Sequence, residues 1–289
     1  MRDYVIVSDS TADLPVEVIN ELGIKIIPFS YSINDEVFNY YLDERDDVKA
    51  FYDKLRSGAM PVTSQINPVT YKEYFEEIVK EGKDILYLCF SSGLSGSYQS
   101  SMLAVDMIEE KYPGAKIVSI DTLAAAVGEG VFLCAAAKKK ASGMNIDELA
   151  QWVKDTRSNV RHWFMVEDLF HLKRGGRLSA VEAVVGSALK IKPILSVDEA
   201  GKLVVKSKVR GTGKALDCLV SKVVEETDNM AEQIAVIGHA DAPERAEKLK
   251  EMVIAQGMKE ENIMIAPIGP IIGTHVGAGM VAIAFITKM

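Results

Sequence analysis

Residues Ile85 to Phe90 form a short apolar run without a single charge, and the chain turns at once into Ser91-Ser92-Gly93-Leu94-Ser95-Gly96-Ser97. An uncharged run of that length marks a strand buried on both faces, the condition of a parallel sheet covered by helices. A helical pattern resumes at Tyr98, with Met102, Val105 and Ile108 on one side. Strand, small polar loop and helix together aim backbone N–H groups and hydroxyls at an anionic group above the sheet edge. The plainer reading of the same residues is a strand-to-helix turn in which Ser caps the helix.

The residues around this stretch repeat its logic. Tyr4 to Val7 is a buried strand followed by the polar turn Ser8 to Asp13, and Pro15 opens a helix carrying Val18, Ile19 and Leu22. Ile24 to Ile33 reads as a second strand, interrupted by Pro28, and Asp46 to Ser57 as a helix ended by Gly58. Met60 to Gln65 reads as a polar turn, after which Asn67 as N-cap and Pro68 at the first helical position open a helix to Lys80. A strand at Lys116 to Ile120, an Ala-rich helix to about Lys140 and a helix over Ile146 to Thr156, capped by Asn145, complete this half. Alternation of strand and helix predicts a parallel sheet with helices on both faces.

Near residue 160 the pattern changes. Trp163 to Val166 reads as a strand and Asp168 to Leu172 as a short helix, followed by Lys173-Arg174-Gly175-Gly176-Arg177. Ile194 to Val197 and Leu203 to Lys208 flank Asp198-Glu199-Ala200-Gly201, a hairpin and therefore antiparallel pairing. Strands at Ile234 to Ile237 and Asn262 to Ala266 bracket a helix over Pro243 to Ala255. The chain closes with the loop Gly269 to Gly279 and the strand Met280 to Ile286. The expected fold class is α/β in two domains. Residues 1–158 form an N-terminal parallel α/β domain and 159–289 a C-terminal α+β domain with a mixed or antiparallel sheet. A length of 289 residues fits two domains better than one.

Several function classes fall away. No stretch of about 20 uncharged apolar residues exists to span a membrane, and the first residues lack the apolar core of a signal peptide. Cys89, Cys134 and Cys218 are odd in number and sit in apolar runs, as reduced core residues of a cytoplasmic protein do. His162, His171, His239 and His275 show no ligand spacing, so no metal is expected. Charge is uneven: from His171 to Lys214 ten Lys or Arg face only Glu182, Asp198 and Glu199, a window of +7 in a chain of −8. A basic island on an acidic protein points to a phosphate-bearing ligand or an acidic partner. The isoelectric point near 5.2 and the few aromatics in the window argue against nucleic acid. The bland alternative is a solvated hairpin face with Lys206 and Lys208 pointing at water.

Thr63-Ser64 and Thr274-His275 read as donors in loops, where binding groups concentrate. Thr63 also suits an ST-turn, and His275 between Gly273 and Gly277 also suits a packed loop residue.

The motifs Ser8-Asp9-Ser10-Thr11-Ala12-Asp13-Leu14, Pro61-Val62-Thr63-Ser64-Gln65, Ser91 to Ser100, Leu172 to Arg177 and Ile268 to His275 occur in an order that resembles the DegV family along essentially the whole chain. The resemblance implies a bacterial fatty-acid-binding carrier that presents its acyl chain to a fatty acid kinase. It implies two α/β domains with the ligand tunnel between them, no catalytic residue of the carrier's own, and no cofactor besides the bound fatty acid. By position it assigns Thr63, Ser95 and His275 to the carboxylate, with Ser64, Ser92, Gly96 and Thr274 as supporting donors. Arg177 and Arg210 take the side facing the kinase and the phosphorylated carboxyl. The implied partners are a long-chain fatty acid and the kinase subunit, with at most a transient contact with a membrane surface. Two departures stand out: Val62 where some relatives carry a second Thr, and Gly-Thr-Gly after Arg210 where others carry more Lys.

The chemistry is consistent with that assignment. A dry tunnel gains about 0.8 kcal/mol for each buried CH2, and the carboxyl needs several donors at the mouth because an unsatisfied polar group there is costly. Neutral donors suit a carboxyl that must later become an acyl phosphate, since a cation locked onto it favours the ground state. On that reasoning the arginines belong outside, near the incoming phosphoryl group. Two other readings use the same loop. A serine hydrolase would combine Ser95 with His275 and an acid such as Asp121, although Ser97 replaces the second Gly of a nucleophile elbow. A phosphosugar-binding module would require a polar pocket.

Overall fold

The computed structural model describes residues 3–43, 47–178 and 190–287. The first part of the chain runs β1 (Tyr4–Asp9), α1 (Val16–Leu22), β2 (Lys25–Ile27), β3 (Phe29–Ile33), β4 (Glu36–Tyr40) and α2 (Val48–Arg56). It continues with β5 (Val62–Ser64), α3 (Pro68–Lys80), β6 (Asp84–Cys89), α4 (Ser97–Lys111), β7 (Ile117–Asp121), α5 (Val127–Ala141) and α6 (Ile146–Thr156). Then come β8 (Val160–Met165), α7 (Phe170–Arg174), β9 (Ile191–Val197), β10 (Leu203–Arg210) and α8 (Thr212–Glu226). The last elements are β11 (Ala235–His239), α9 (Pro243–Ala255), β12 (Ile263–Pro267), α10 (Pro270–Val276) and β13 (Val281–Ile286).

These elements build the expected α/β fold. A four-stranded parallel sheet has the order β2-β1-β6-β7, and a six-stranded mixed sheet the order β10-β9-β8-β13-β11-β12. In the second, only β11 and β12 run parallel. The caps do what the sequence asks of them. Asn67 accepts from the Thr70 N–H at the start of α3, and Asn145 with Glu148 forms a capping box on α6.

Three expectations need correction. The strand over Ile24 to Ile33 is two strands: past Pro28, which lacks an N–H, the chain leaves the parallel sheet, and β3 pairs with β4 and β5 in a separate antiparallel sheet. Met60 to Gln65 is therefore not wholly a turn, because Val62 to Ser64 is the edge strand β5. The closing loop contains α10, so His275 stands on a helix. The expected helix over Asp46 to Ser57 begins at Val48; Asp46 lies outside the described residues.

The two larger sheets share one core, with α5 between them. Val127 to Cys134 of this helix are all buried, which explains its run of Gly, Ala and apolar residues. Alternation along β8 and β13 divides the six-stranded sheet. Val160, Phe164, Ala282 and Ala284 face α5 and the parallel sheet. Trp163, Met165, Ile283 and Phe285 face a second core under α8 and α9.

Candidate functional site

Where the two sheets meet, a cavity of about 770 Å³ including its open mouth is walled by Phe29, Phe90, Phe164, Leu203 and other apolar side chains. Its polar wall groups are Thr63, Ser64, Gln65, Ser95, His162, Arg177 and His275.

Thr63 sits opposite Tyr31 on β3 and is half-buried at the cavity, with Ser64 exposed at its rim and Val62 exposed away from it. His275 reaches it from α10. That helix lies close on α2: a Cβ at Gly273 would fall 2.5 Å from the Tyr52 hydroxyl, which donates to the Ile268 carbonyl. The result joins residues 212 positions apart, with Thr63 Oγ1 and His275 Nε2 at 2.8 Å. Burial first, then the nearby Arg177, Arg174 and His171, pushes the His275 pKa down to about 3, so the ring is neutral. Its Nδ1 is buried without a protein partner. Gly175 makes room for it, since a Cβ there would come within 2.1 Å of Nδ1.

The Ser/Gly loop is fixed from three directions. Ser95 N–H and Leu94 N–H donate to the Ser91 carbonyl. Ser95 Oγ accepts the Ser97 N–H at 3.2 Å and lies 2.9 Å from Ser97 Oγ. Ser97 Oγ in turn accepts the Ile66 N–H, tying the loop to the segment after Thr63. The tip of the β9–β10 hairpin closes on the other side, where Ser91 Oγ donates to the Gly201 carbonyl at 2.8 Å. Any Cβ on Gly93 would lie 2.6 Å from the Ala200 carbonyl oxygen, so only Gly permits this approach.

The supporting donors divide. Ser64 reaches the cavity wall, whereas Ser92, Gly96 and Thr274 do not. Thr274 is buried, with its hydroxyl committed to the Pro270 carbonyl at 2.8 Å. The Ser92 N–H donates to Asp121, and Gly96 packs against Gln65. The hydrolase trio is not assembled: Ser95 contacts Ser97, His275 contacts Thr63, and Asp121 accepts from the Ser92 and Leu123 N–H groups. No nucleophile–base contact exists in this arrangement.

Arg177 and Arg210 also part company. Gly176, with φ +71°, turns the chain after α7 and folds Arg177 back. Its guanidinium donates to the Leu94 and Gly175 carbonyls at 3.1 and 2.6 Å, and it lines the cavity. The expectation of a mouth free of fixed cations is therefore corrected by a tertiary turn. Arg210 ends β10, exposed and away from the cavity wall. The basic island is also less basic than its window suggests, because Glu167, just outside it, pairs with Lys192; Glu182 lies outside the described residues.

One polar cluster had no counterpart in the sequence reading. Beneath the Ser/Gly loop, Asp9 and Glu129 are fully buried. Thr11 Oγ1 lies 2.5 Å from Asp9 Oδ1 and 3.0 Å from Glu129 Oε2. Ser8 Oγ lies 2.8 Å from both Glu129 Oε1 and the Leu88 carbonyl. Asp9 Oδ2 accepts from the Tyr87 hydroxyl and the Phe90 N–H, and Tyr71 and Tyr87 share a hydroxyl contact at 2.7 Å. Burial raises the pKa of both acids, and the proximity of Asp9 raises that of Glu129 further. The signal was available in part, as the acid in Ser8-Asp9-Ser10-Thr11; nothing around Glu129 marks it. Among the described residues no group of three or more His, Cys, Asp or Glu is arranged to hold a metal ion, and no helix is long and apolar enough to cross a membrane.

Comparison with known proteins gives a consistent result. A family profile described as an uncharacterised protein of the DegV family matches residues 3–288. A DegV domain-containing protein of Clostridium perfringens is 43% identical over 286 residues, spanning 99% of this chain and 98% of its own length. A DegV lipid-binding protein from Thermotoga maritima superposes with a TM-score of 0.88 at 27% identity, covering 99% of each chain. DegV from Bacillus subtilis, described as a fatty acid binding protein, gives 0.85 at 28% identity with both chains fully covered. The chain belongs to the DegV family.

Proposed function

We propose that this protein binds a long-chain fatty acid in the cavity and presents its carboxyl group to a fatty acid kinase for conversion to an acyl phosphate. The observation that carries the reading is the Thr63–His275 pair at 2.8 Å, beside Ser95, on an otherwise apolar cavity. Structural relatives described as fatty-acid-binding supply the ligand class. On this reading residues 1–158 and 159–289 act as two domains and the acyl chain lies between them. Thr63, Ser95 and His275 hold the carboxyl, Ser64 supports it at the rim, and the neutral imidazole itself forms no ion pair with it. Arg177, braced by two carbonyls, stands ready to meet charge that appears on phosphorylation. Arg210 faces the kinase from the exposed end of β10.

Lipid extraction of the purified protein, followed by mass spectrometry, tests the ligand and should return a long-chain fatty acid. Protein that is empty and takes up no fatty acid after delipidation overturns the reading. Fatty-acid-dependent phosphate transfer from ATP with the cognate kinase tests the partner. Arg210→Ala should leave lipid affinity unchanged while transfer drops. A loss of affinity in step with transfer would place Arg210 in the pocket and remove its kinase-facing role.

A further inference from the structure

Asp13 is a buried acid outside the cavity wall, yet it stands at the base of the helix that carries His275. It follows β1 with a left-handed backbone, φ +46°. Its Oδ1 accepts the Gly269 N–H at 2.9 Å, across 256 residues of chain. Its Oδ2 is buried without a hydrogen-bond partner in the protein. Burial, opposed by the Gly269 hydrogen bond and aided by Asp9, holds the pKa well above the usual carboxylate range and favours the neutral acid. The segment around it is a fixed post. Thr11 is bonded to both Asp9 and Glu129, and a Cβ on Gly130 of α5 would fall 2.7 Å from the Ala12 carbonyl oxygen.

Gly269 is the N-cap residue of α10 and has no capping side chain. A Cβ there would lie 2.3 Å from the Tyr40 ring, so it can carry none. In a capping box the N-cap N–H is bonded by an acid or amide at the third helical position, which Ile272 occupies here. Asp13 supplies that half of the box from the far end of the chain. Pro270 has no N–H, and the Gly269 carbonyl is already an intrahelical acceptor, from the Gly273 N–H. The Gly269 N–H is therefore the last backbone donor held before α10 begins, and its partner sets the direction in which the helix leaves. Further along the same helix, His275 meets Thr63. Resting on the fatty-acid reading above, we propose that Asp13 is a positioning residue for the carboxyl site, fixing the start of α10 so that His275 Nε2 reaches Thr63 Oγ1 before ligand arrives. The buried segment after β1 then serves a cavity that none of its residues lines.

Asp13→Gly is the informative variant, because glycine keeps the left-handed backbone without strain and removes the acceptor. It should weaken stearate binding to delipidated protein about threefold to tenfold, the scale of one hydrogen bond. It should also shift the His275 ring signals in the NMR spectrum of the ligand-free protein. Asp13→Asn retains Oδ1 and tolerates the same φ, and should restore both. A double-mutant cycle separates this role from a general loss of packing: in a His275→Ala background, Asp13→Gly should no longer change affinity. Linkage gives a test on the wild type that holds even where a variant does not fold. Stearate should slow amide exchange at Gly269 by about the same threefold to tenfold, while the Glu148 N–H, capped by Asn145 on α6, exchanges as before. A folded Asp13→Gly with wild-type affinity, an undiminished effect in the His275→Ala background, no restoration by Asp13→Asn, or unchanged exchange at Gly269 each overturns the proposal. Should the wild type bind no fatty acid while Asp13→Gly still shifts the His275 signals, the fatty-acid reading is at fault and the positioning of His275 stands.

Discussion

Two hydroxyl-rich segments end adjacent strands of the parallel sheet, Ser8 to Asp13 from the last residues of β1 and Ser91 to Ser97 after β6. Their compositions are alike and their uses are opposite. The first turn has its hydroxyls saturated from within. From Tyr71 through Tyr87, Asp9, Thr11, Glu129 and Ser8 to the Leu88 carbonyl run six oxygen–oxygen contacts, and the four hydroxyls supply only four hydrogens. Two more must come from the carboxyl groups. With Asp9 and Glu129 both protonated, every contact holds one hydrogen and all point the same way. The second turn satisfies its own backbone and leaves Ser95 beside the cavity. What a hydroxyl-rich turn binds is thus decided by what the rest of the chain brings opposite it: a carboxyl from α5 in one case, open space in the other.

The largest effect should come from cutting the saturated turn. Asp9→Ala strands the Phe90 and Thr11 N–H groups and the Tyr87 hydroxyl in the core, and should cost about 3 kcal/mol or more of folding stability in guanidinium denaturation. A cost well under that would mean the cluster is wetter than its burial indicates.

The next effect is pH dependence. Asp9 and Glu129 have folded pKa values raised above their unfolded ones, so their stabilising contribution is complete below roughly pH 4 and is lost as pH rises toward the folded values. His162 and His275, lowered to about 4 and about 3, contribute in the other sense: their stability is present above the ordinary pKa of 6.5 and is lost as pH falls toward those values. Well above pH 6.5, where unfolded histidine is neutral as well, stability should fall with pH by up to about 1.4 kcal/mol per unit for each acid still protonated in the fold. Glu129→Gln, which keeps an amide donor in place of the acid, should flatten that slope. An unchanged slope would show that Glu129 is ionised.

Smaller effects belong to the open turn. Ser95→Ala should weaken fatty acid binding by about 0.5–1.5 kcal/mol, with the denaturation midpoint nearly fixed. Stoichiometric labelling of Ser95 by a fluorophosphonate probe would instead reveal a nucleophile. Thr274→Val should change fatty acid affinity by less than about 0.5 kcal/mol, because that hydroxyl is already spent on Pro270. A titration showing a larger loss would bring Thr274 into the binding set.

The parts of this structure that were legible in the sequence are those that local chemistry decides. Asn67-Pro68 and Asn145 with Glu148 announce their helices through backbone capping, and the charge-free run before Ser91 announces its strand. The change of pattern near residue 160 likewise marks the move to a mixed sheet. β5 escaped notice because a three-residue edge strand has too few residues to show alternation. α10 was hidden by the Pro and Gly residues that let it pack closely on α2. The inward fold of Arg177 and the meeting of Glu129 with Ser8 and Thr11 depend on partners about 80 and 120 residues away, beyond any local signal.

The grip of the hairpin tip on the Ser/Gly loop bears on the order in which the molecule comes into being. Ser91 waits for Gly201, 110 residues later, and Thr63 waits for His275, 212 residues later. Contacts of such separation form slowly, because the intervening chain must first be closed into a loop. During synthesis all four strands of the parallel sheet emerge by Asp121, well before either partner exists. The binding mouth is therefore completed only when nearly the whole chain has emerged, and a half-made protein has a parallel sheet but no place for a ligand.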